Sequence, residues 1–188
     1  MKCMRRQIAA FLVVTLFFWQ GSALAQEARL SDIIVSNSHD DVLIYLKVEG
    51  AFTEKMRRVV FSGVPTTFSF LITMERVRGA WMNEEIADFK ISHTVKYNNM
   101  KKEFTIRRSW EDDKPIVTRS FGEAKKLMCE VDNIRLVTLN KLEKGLRYQI
   151  RAKAELSDIT LPFYLHYLLF FVSLWKFETE WYTIDFTY

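Results

Sequence analysis

Residues 146–156, LRYQIRAKAEL, alternate apolar and polar side chains without interruption. The apolar positions are Leu146, Tyr148, Ile150, Ala152, Ala154 and Leu156. Because successive side chains of a strand point to opposite faces, this period of two predicts a half-buried antiparallel strand with one solvated face. The stretch favours a β fold.

The same period recurs along the chain, at residues 42–48, 68–74, 89–97, 104–106 and 182–188. Two segments break it and predict short helices, at residues 53–62 and 120–131. The first has Thr53 as a capping residue, and Gly63 can close it before Pro65. We therefore expect a mainly β protein, an antiparallel two-layer β-sandwich of about eight strands with two short helices.

The N-terminal residues 1–25 have the three parts of a secretory signal. Basic residues precede an apolar stretch at residues 8–19, and small residues follow at 22–25. We expect a cleavable signal peptide and a single sandwich domain at 26–188, with an uncleaved membrane anchor as the alternative. In both cases the rest of the chain is exported, and with the leader removed we expect a periplasmic protein that is peripheral to the inner membrane.

Composition excludes some classes of partner. Of the 27 basic residues, three (Lys2, Arg5 and Arg6) lie in the predicted leader, which leaves 24 against 23 acidic residues. This near-neutral balance argues against nucleic-acid binding. Cys129 is the only cysteine after the leader, so we expect no internal disulfide and a buried, inert thiol.

Residues 159–175 form a run of 17 positions without a formally charged side chain. As a helix this run would be about 25 Å long, at the short limit for a membrane span. A span would, however, place the alternating residues 182–188 on the far side of the bilayer, where a single strand would have no partner. The run could instead supply core to the sandwich, or it could be an exposed element that contacts a membrane or a partner. The candidate contact residues are Leu161, Pro162, Phe163, Tyr164, Tyr167, Leu168, Phe170, Phe171 and Trp175.

Residues with catalytic or metal-binding chemistry are few and dispersed. His39, Asp40 and Asp41 form the densest group, in a predicted turn, with no second ligand cluster. His93 falls on the apolar side of a strand, His166 is isolated among apolar residues, and residues 111–113 are acids in a turn. We therefore predict no catalytic residues, no metal, no cofactor and no enzymatic activity, although a polar pocket that joins His93 or His39 to a carboxylate would support an enzyme.

Several short motifs occur in a definite order along the chain. They are Val60–Pro65, Arg78–Trp81, Ile91–His93, Ser120–Ala124, Leu161-Pro162 and Trp175–Tyr182. This order resembles the bacterial DUF4390 family of exported proteins, and the closing motif is the most specific. The resemblance implies a structural role for Trp81, Trp181 and Tyr182. Because family members are often encoded beside sensor histidine kinases, it also implies such a kinase as a candidate partner.

Together these features predict an envelope-associated interaction or signalling accessory domain that acts by binding. The contact element would be residues 161–175, and the target a membrane surface or an envelope membrane protein. The alternative is a carrier of lipid or a small apolar ligand, with the same apolar residues lining a cavity between the sheets.

Overall fold

The structure is a computed structural model that describes residues 28–79, 81–111, 114–157 and 177–188. Within these ranges, nine strands and two helices follow one another along the chain. In order they are β1 (Arg29–Asn37), β2 (Asp41–Glu49), α1 (Glu54–Phe61), β3 (Thr66–Arg76), β4 (Glu84–Asn98), β5 (Glu103–Arg108), β6 (Ile116–Thr118), α2 (Phe121–Cys129), β7 (Glu130–Thr138), β8 (Arg147–Leu156) and β9 (Tyr182–Thr187).

The strands form two antiparallel sheets of unequal width. The narrow sheet has the order β1-β2-β7, and the wide sheet has the order β6-β5-β4-β3-β8-β9. Their apolar faces contribute to one buried cluster. The predicted two-layer β-sandwich is confirmed, with nine described strands instead of about eight.

The stretch at residues 146–156 has the predicted role. Its even-numbered residues from Tyr148 onward are buried, and β8 pairs with β3 over the full length of the strand. In that register Ala154 lies opposite Phe70, and Ala152 lies opposite Ile72. Small residues opposite large ones leave room for both rings and branched chains, so the two strands pack closely at the centre of the core.

Helix α1 begins and ends where the sequence predicts. The Thr53 hydroxyl accepts a hydrogen bond from the amide of Met56 at 3.3 Å, which caps the first turn. Met56, Val59 and Val60 form the buried face. Gly63 follows with a φ of 83°, the left-handed conformation that closes a helix.

Helix α2 is shorter than predicted. Ser120 caps it by accepting a hydrogen bond from the amide of Glu123, but the helix ends at Cys129 and not at Val131. Glu130 is already extended, because Glu130 and Val131 begin β7 and pair with β2. Sheet pairing overrides the helical periodicity at these two positions.

Strand β9 confirms the closing strand predicted at the C-terminus. Ile184 lies opposite Ile150 and Phe186 opposite Tyr148 in an antiparallel pair with β8. This pairing places the chain before residue 158 and the chain after residue 176 in one sheet, and residues 159–175 themselves lie outside the described residues. Among the described residues, no helix has the length and apolar character needed to cross a membrane.

Candidate binding surfaces

The chain leaves and re-enters the sandwich at one place, on either side of residues 158–176. The amide of Leu156 donates to the carbonyl of Phe177 at 2.9 Å, and the amide of Thr179 donates to the carbonyl of Ala154 at 2.9 Å. Phe177 is buried, with its ring 4.9 Å from that of Phe68. Both flanks of the predicted contact segment are therefore fixed to the end of β8.

The N-terminal chain reaches the same region. Ala28 lines a groove of about 530 Å³ together with residues of the C-terminal flank, and the other lining residues are Arg29, Leu30, Glu49, Gly50, Glu178, Glu180, Trp181 and Tyr182. We call the end of the sandwich where Ala28, Leu156 and Phe177 lie the exit end. Both apolar segments of the sequence, residues 8–19 and 159–175, are therefore joined to the domain at this end.

Trp181 and Tyr182, expected to have a structural role, lie at the exit end and are partly exposed. The Trp181 ring lies under two cations, with the Arg151 guanidinium carbon 4.7 Å and the Lys153 Nζ 5.5 Å from its centre. Lys153 also pairs with Glu178. These contacts hold the returning chain against the outer face of β8.

Trp81, the third residue of that set, lies at the tip of the β3–β4 hairpin and is 78% exposed. The hairpin base is an ion-pair cluster in which Arg76 and Arg78 both contact Glu84. In the β3–β8 register Arg76 lies opposite Tyr148, whereas Phe68 lies opposite Leu156. Trp81 therefore projects from the end of the sandwich opposite the exit end.

The nine predicted contact residues, Leu161 to Trp175, lie outside the described residues, as does His166. What the structure supplies instead is the position of the two flanks. A second apolar surface, which the sequence did not predict, lies in the described part of the chain.

This second surface is a groove of about 620 Å³ between β1 and β9, which we call the seam groove. Its lining is mostly apolar and consists of Ile33, Ile34, Val35, Ser36, Asn37, Val42, Leu139, Ile184, Phe186 and Tyr188. Ile34 is 57% exposed. The alternation at residues 182–188 was the only signal in the sequence, because the groove arises where two distant strands meet.

His93 is buried in the core, as expected, and its surroundings do not suit catalysis. Its ring lies 4.8 Å from Phe70 and 4.5 Å from Trp110, and Nδ1 donates to the carbonyl of Met128 at 3.0 Å. Nε2 has no partner among the described residues. Burial, together with the nearby Arg108 guanidinium, lowers the pKa of His93 to about 3. The ring is therefore neutral and inaccessible.

Arg108 belongs to the basic pair Arg107-Arg108, a residue type that is mostly exposed in proteins, but here the side chain is buried. It is 8% exposed, and its guanidinium donates to the carbonyls of Leu127 and Glu130 and to the Glu111 carboxylate. The guanidinium binds the end of α2 to the wide sheet, because a planar fork with five donors can satisfy several acceptors at once. Glu111, one of the predicted turn acids, is therefore a structural partner.

Within the described ranges, the remaining candidate groups lie apart from one another. His39 is exposed in the β1–β2 turn, and no group of His, Cys, Asp or Glu side chains with metal-binding geometry occurs in the described ranges. Cys129 is buried as predicted, and burial raises the pKa of its thiol to about 12, which keeps it protonated.

Comparison with known families gives a match over most of the chain. The model of the family described as a domain of unknown function, DUF4390, matches residues 25–185. No curated protein and no solved structure is significantly similar to the chain.

Proposed function

Because the chain belongs to the DUF4390 family and both flanks of its uncharged run lie at one end of a β-sandwich, we propose that it is an exported envelope domain that acts by binding. The proposed contact element is residues 161–175, and the proposed target is the periplasmic surface of the inner membrane. The exported part of a membrane protein, such as a sensor kinase, is the other target.

The observation that carries this proposal is the hydrogen bond between Leu156 and Phe177. It holds both flanks of an uncharged run of 17 residues at the exit end, beside the entry of the N-terminal chain at Ala28. A domain with this run at one end can present that end to a bilayer while its sheets remain in water, and an uncleaved leader would favour the same orientation. Monomers seldom expose contiguous apolar surface without a function.

Charge near the exit end supports the same orientation. Lys125 and Lys126 line a groove that shares Glu49 and Gly50 with the exit-end groove. Lys125 makes no ion pair among the described residues, so its charge is available to anionic head groups.

The test is sedimentation of the full chain with vesicles of phosphatidylethanolamine and phosphatidylglycerol. We expect the double variant Phe170→Ser, Phe171→Ser to lose vesicle binding while its melting temperature stays unchanged. The matched control is Trp81→Ser, which removes an exposed aromatic residue at the opposite end and should leave binding intact.

Two results would overturn the proposal. Unfolding of the double variant would assign these residues to the core, and unchanged binding both to vesicles and to membranes in cells would exclude them as the contact. Loss of membrane association in cells without loss of vesicle binding would identify a membrane protein as the target.

The carrier alternative is supported by the apolar lining of the seam groove. Organic extraction of the purified protein followed by mass spectrometry tests it. Bound acyl chains at one per protein would support a carrier, and their absence would exclude it.

A further inference from the structure

Strand β9 ends the wide sheet and, among the described residues, pairs on one side only. The amide of Tyr188 donates to the carbonyl of Leu146 at 3.1 Å. Further along β8, Ala154 and Leu156 also form backbone hydrogen bonds to the chain that precedes β9, so even-numbered residues of β8 face this chain. In an antiparallel pair these bonds recur at every second residue. The backbone N–H and C=O groups of Thr183, Asp185 and Thr187 therefore point away from β8, towards the free edge.

This edge lacks the features that normally prevent strand addition. The facing strand β1 shows such features: its register with β2 shifts between Ser31 and Ile34, and Asp32 has a φ of 49°. By contrast, β9 keeps an unbroken register with β8 from Tyr182 to Thr187 and contains no lysine, proline or glycine. Regular, unbulged edges without these residues readily accept another strand.

The seam groove provides space for the side chains of such a strand. Ile184, Phe186 and Tyr188 of the β9 segment form one wall, and Ile33 and Val35 of β1 belong to the opposite wall. All five side chains are only partly buried. Alternate side chains of an added strand would enter this groove, where apolar groups gain the most from leaving water.

Charge on the solvated face of β9 indicates which side chains an added strand should carry on its own solvated face. Residues 177–188 contain Glu178, Glu180 and Asp185 and no basic residue. Lys153 pairs with Glu178, but neither Glu180 nor Asp185 forms an ion pair within the described chain. Asp185 only accepts a hydrogen bond from Gln149 at 3.0 Å. Basic side chains on an added strand would lie next to Asp185, whereas Arg147 and Arg151 lie one strand further away, on β8.

We infer that the free edge of β9 binds an extended segment of a partner polypeptide, in which apolar and basic side chains alternate, as an added antiparallel or parallel strand. This inference goes beyond the proposed membrane contact. It uses only described residues, and none of them belongs to the segment 158–176.

The test uses the full chain and a synthetic peptide of about seven residues in which valine alternates with arginine. Thr183→Pro should weaken binding by about tenfold or more, because it removes an edge donor without breaking a bond to β8. Thr183→Val is the matched control and should bind like the wild type. Asp185→Asn should weaken binding by about threefold at low salt, and a valine–glutamate peptide should not bind.

Amide exchange measured by NMR on the wild-type chain locates the bound peptide without any substitution, and therefore does not depend on the folding of Thr183→Pro. Adding the valine–arginine peptide should protect the amides of Thr183, Asp185 and Thr187. Absence of binding, protection elsewhere, or equal binding of the valine–glutamate peptide would overturn the inference. A concentration-dependent dimer that Thr183→Pro converts to a monomer would do so too, because a second copy would then occupy the edge. Loss of vesicle binding by the Phe170, Phe171 variant would leave all of these results unchanged.

Discussion

Leu156 and Phe177 are hydrogen-bonded neighbours, 2.9 Å from amide nitrogen to carbonyl oxygen, although residues 157–176 separate them in the sequence. The bond extends the pairing with β8 to the chain that precedes β9, through Thr179 and the bridge between Glu155 and Glu178. Any excursion of the intervening residues must therefore begin and end on the same side of a membrane.

This relationship predicts equal labelling of two positions by a membrane-impermeant maleimide. Lys144→Cys lies in the turn before β8, and Thr187→Cys lies at the end of β9; both sites are exposed. The background should be Cys3→Ser, with Cys129 protected by its burial. In intact spheroplasts both cysteines should react to the same extent. Reaction of one and protection of the other would mean that the chain crosses the bilayer between them.

Protonation of His93 should make the protein less stable in mild acid. Its folded pKa is about 3 against an ordinary value of 6.5, so the unfolded chain binds the proton more readily between these values. Stability is fully present above pH 6.5 and falls as the pH drops towards 3. Urea titrations should show a loss of about 2 kcal/mol between pH 7 and pH 5.

The control is His93→Gln, which cannot titrate and can still donate to the Met128 carbonyl. Its unfolding free energy should change far less over the same pH interval, although it is lower at pH 7 because the ring stacking is lost. A slope equal to that of the wild type would assign the acid sensitivity to other groups.

Replacement of Arg108 should destabilise the fold much more than replacement of its neighbour. Arg108→Met leaves the Leu127 and Glu130 carbonyls and the Glu111 carboxylate without their donor, at a cost of about 3 kcal/mol. Arg107→Met, at an exposed position, should change the unfolding free energy by about 0.5 kcal/mol or less. Denaturant midpoints measure both, and equal effects would contradict the structural role of Arg108.

A side chain at Gly63 should lower the stability of the fold. Its φ of 83° is unfavourable for other residues, and a Cβ would lie 3.3 Å from the Tyr97 carbonyl oxygen. We expect Gly63→Ala to lower the unfolding free energy by about 1–2 kcal/mol. Gly79→Ala is the control, because a Cβ there meets no heavy atom within 4 Å. Thermal melts of the two variants should differ clearly, and coincident melts would argue against the left-handed turn.

Regular strands and well-capped helices were predictable from sequence, and irregular strands were not. β8 shows a complete period of two, and Thr53 and Gly63 mark both ends of α1. β1 and β7 were missed because their alternation is interrupted. β1 shifts register between Ser31 and Ile34, and β7 shifts twice against β2. The three residues of β6 were too few to give a pattern.

The candidate surfaces were predictable only in part. The uncharged run at residues 159–175 is evident from the sequence, but the position of its flanks depends on the pairing of Leu156 with Phe177. The seam groove required knowledge of which strands end each sheet, since Ile33 and Phe186 are brought together by topology alone. The burial of Arg108 was only partly predictable: the period of two places it on the same face as Phe104 and Ile106, but a basic pair normally indicates a solvated surface.

Because the two sheets differ in width, the two edges of the wide sheet should differ in local stability. Where β5 and β6 extend past the narrow sheet, α2 and the Arg108 guanidinium brace them. Where β9 extends past it, no helix of the described chain covers it, so β9 can detach by breaking its pairing with β8 and the packing of Phe186 and Tyr188 against the core. Local opening should therefore begin at residues 182–187, and their amides should exchange with solvent before those of β3 and β4. Any ligand of this strand would act as the missing brace and slow that exchange.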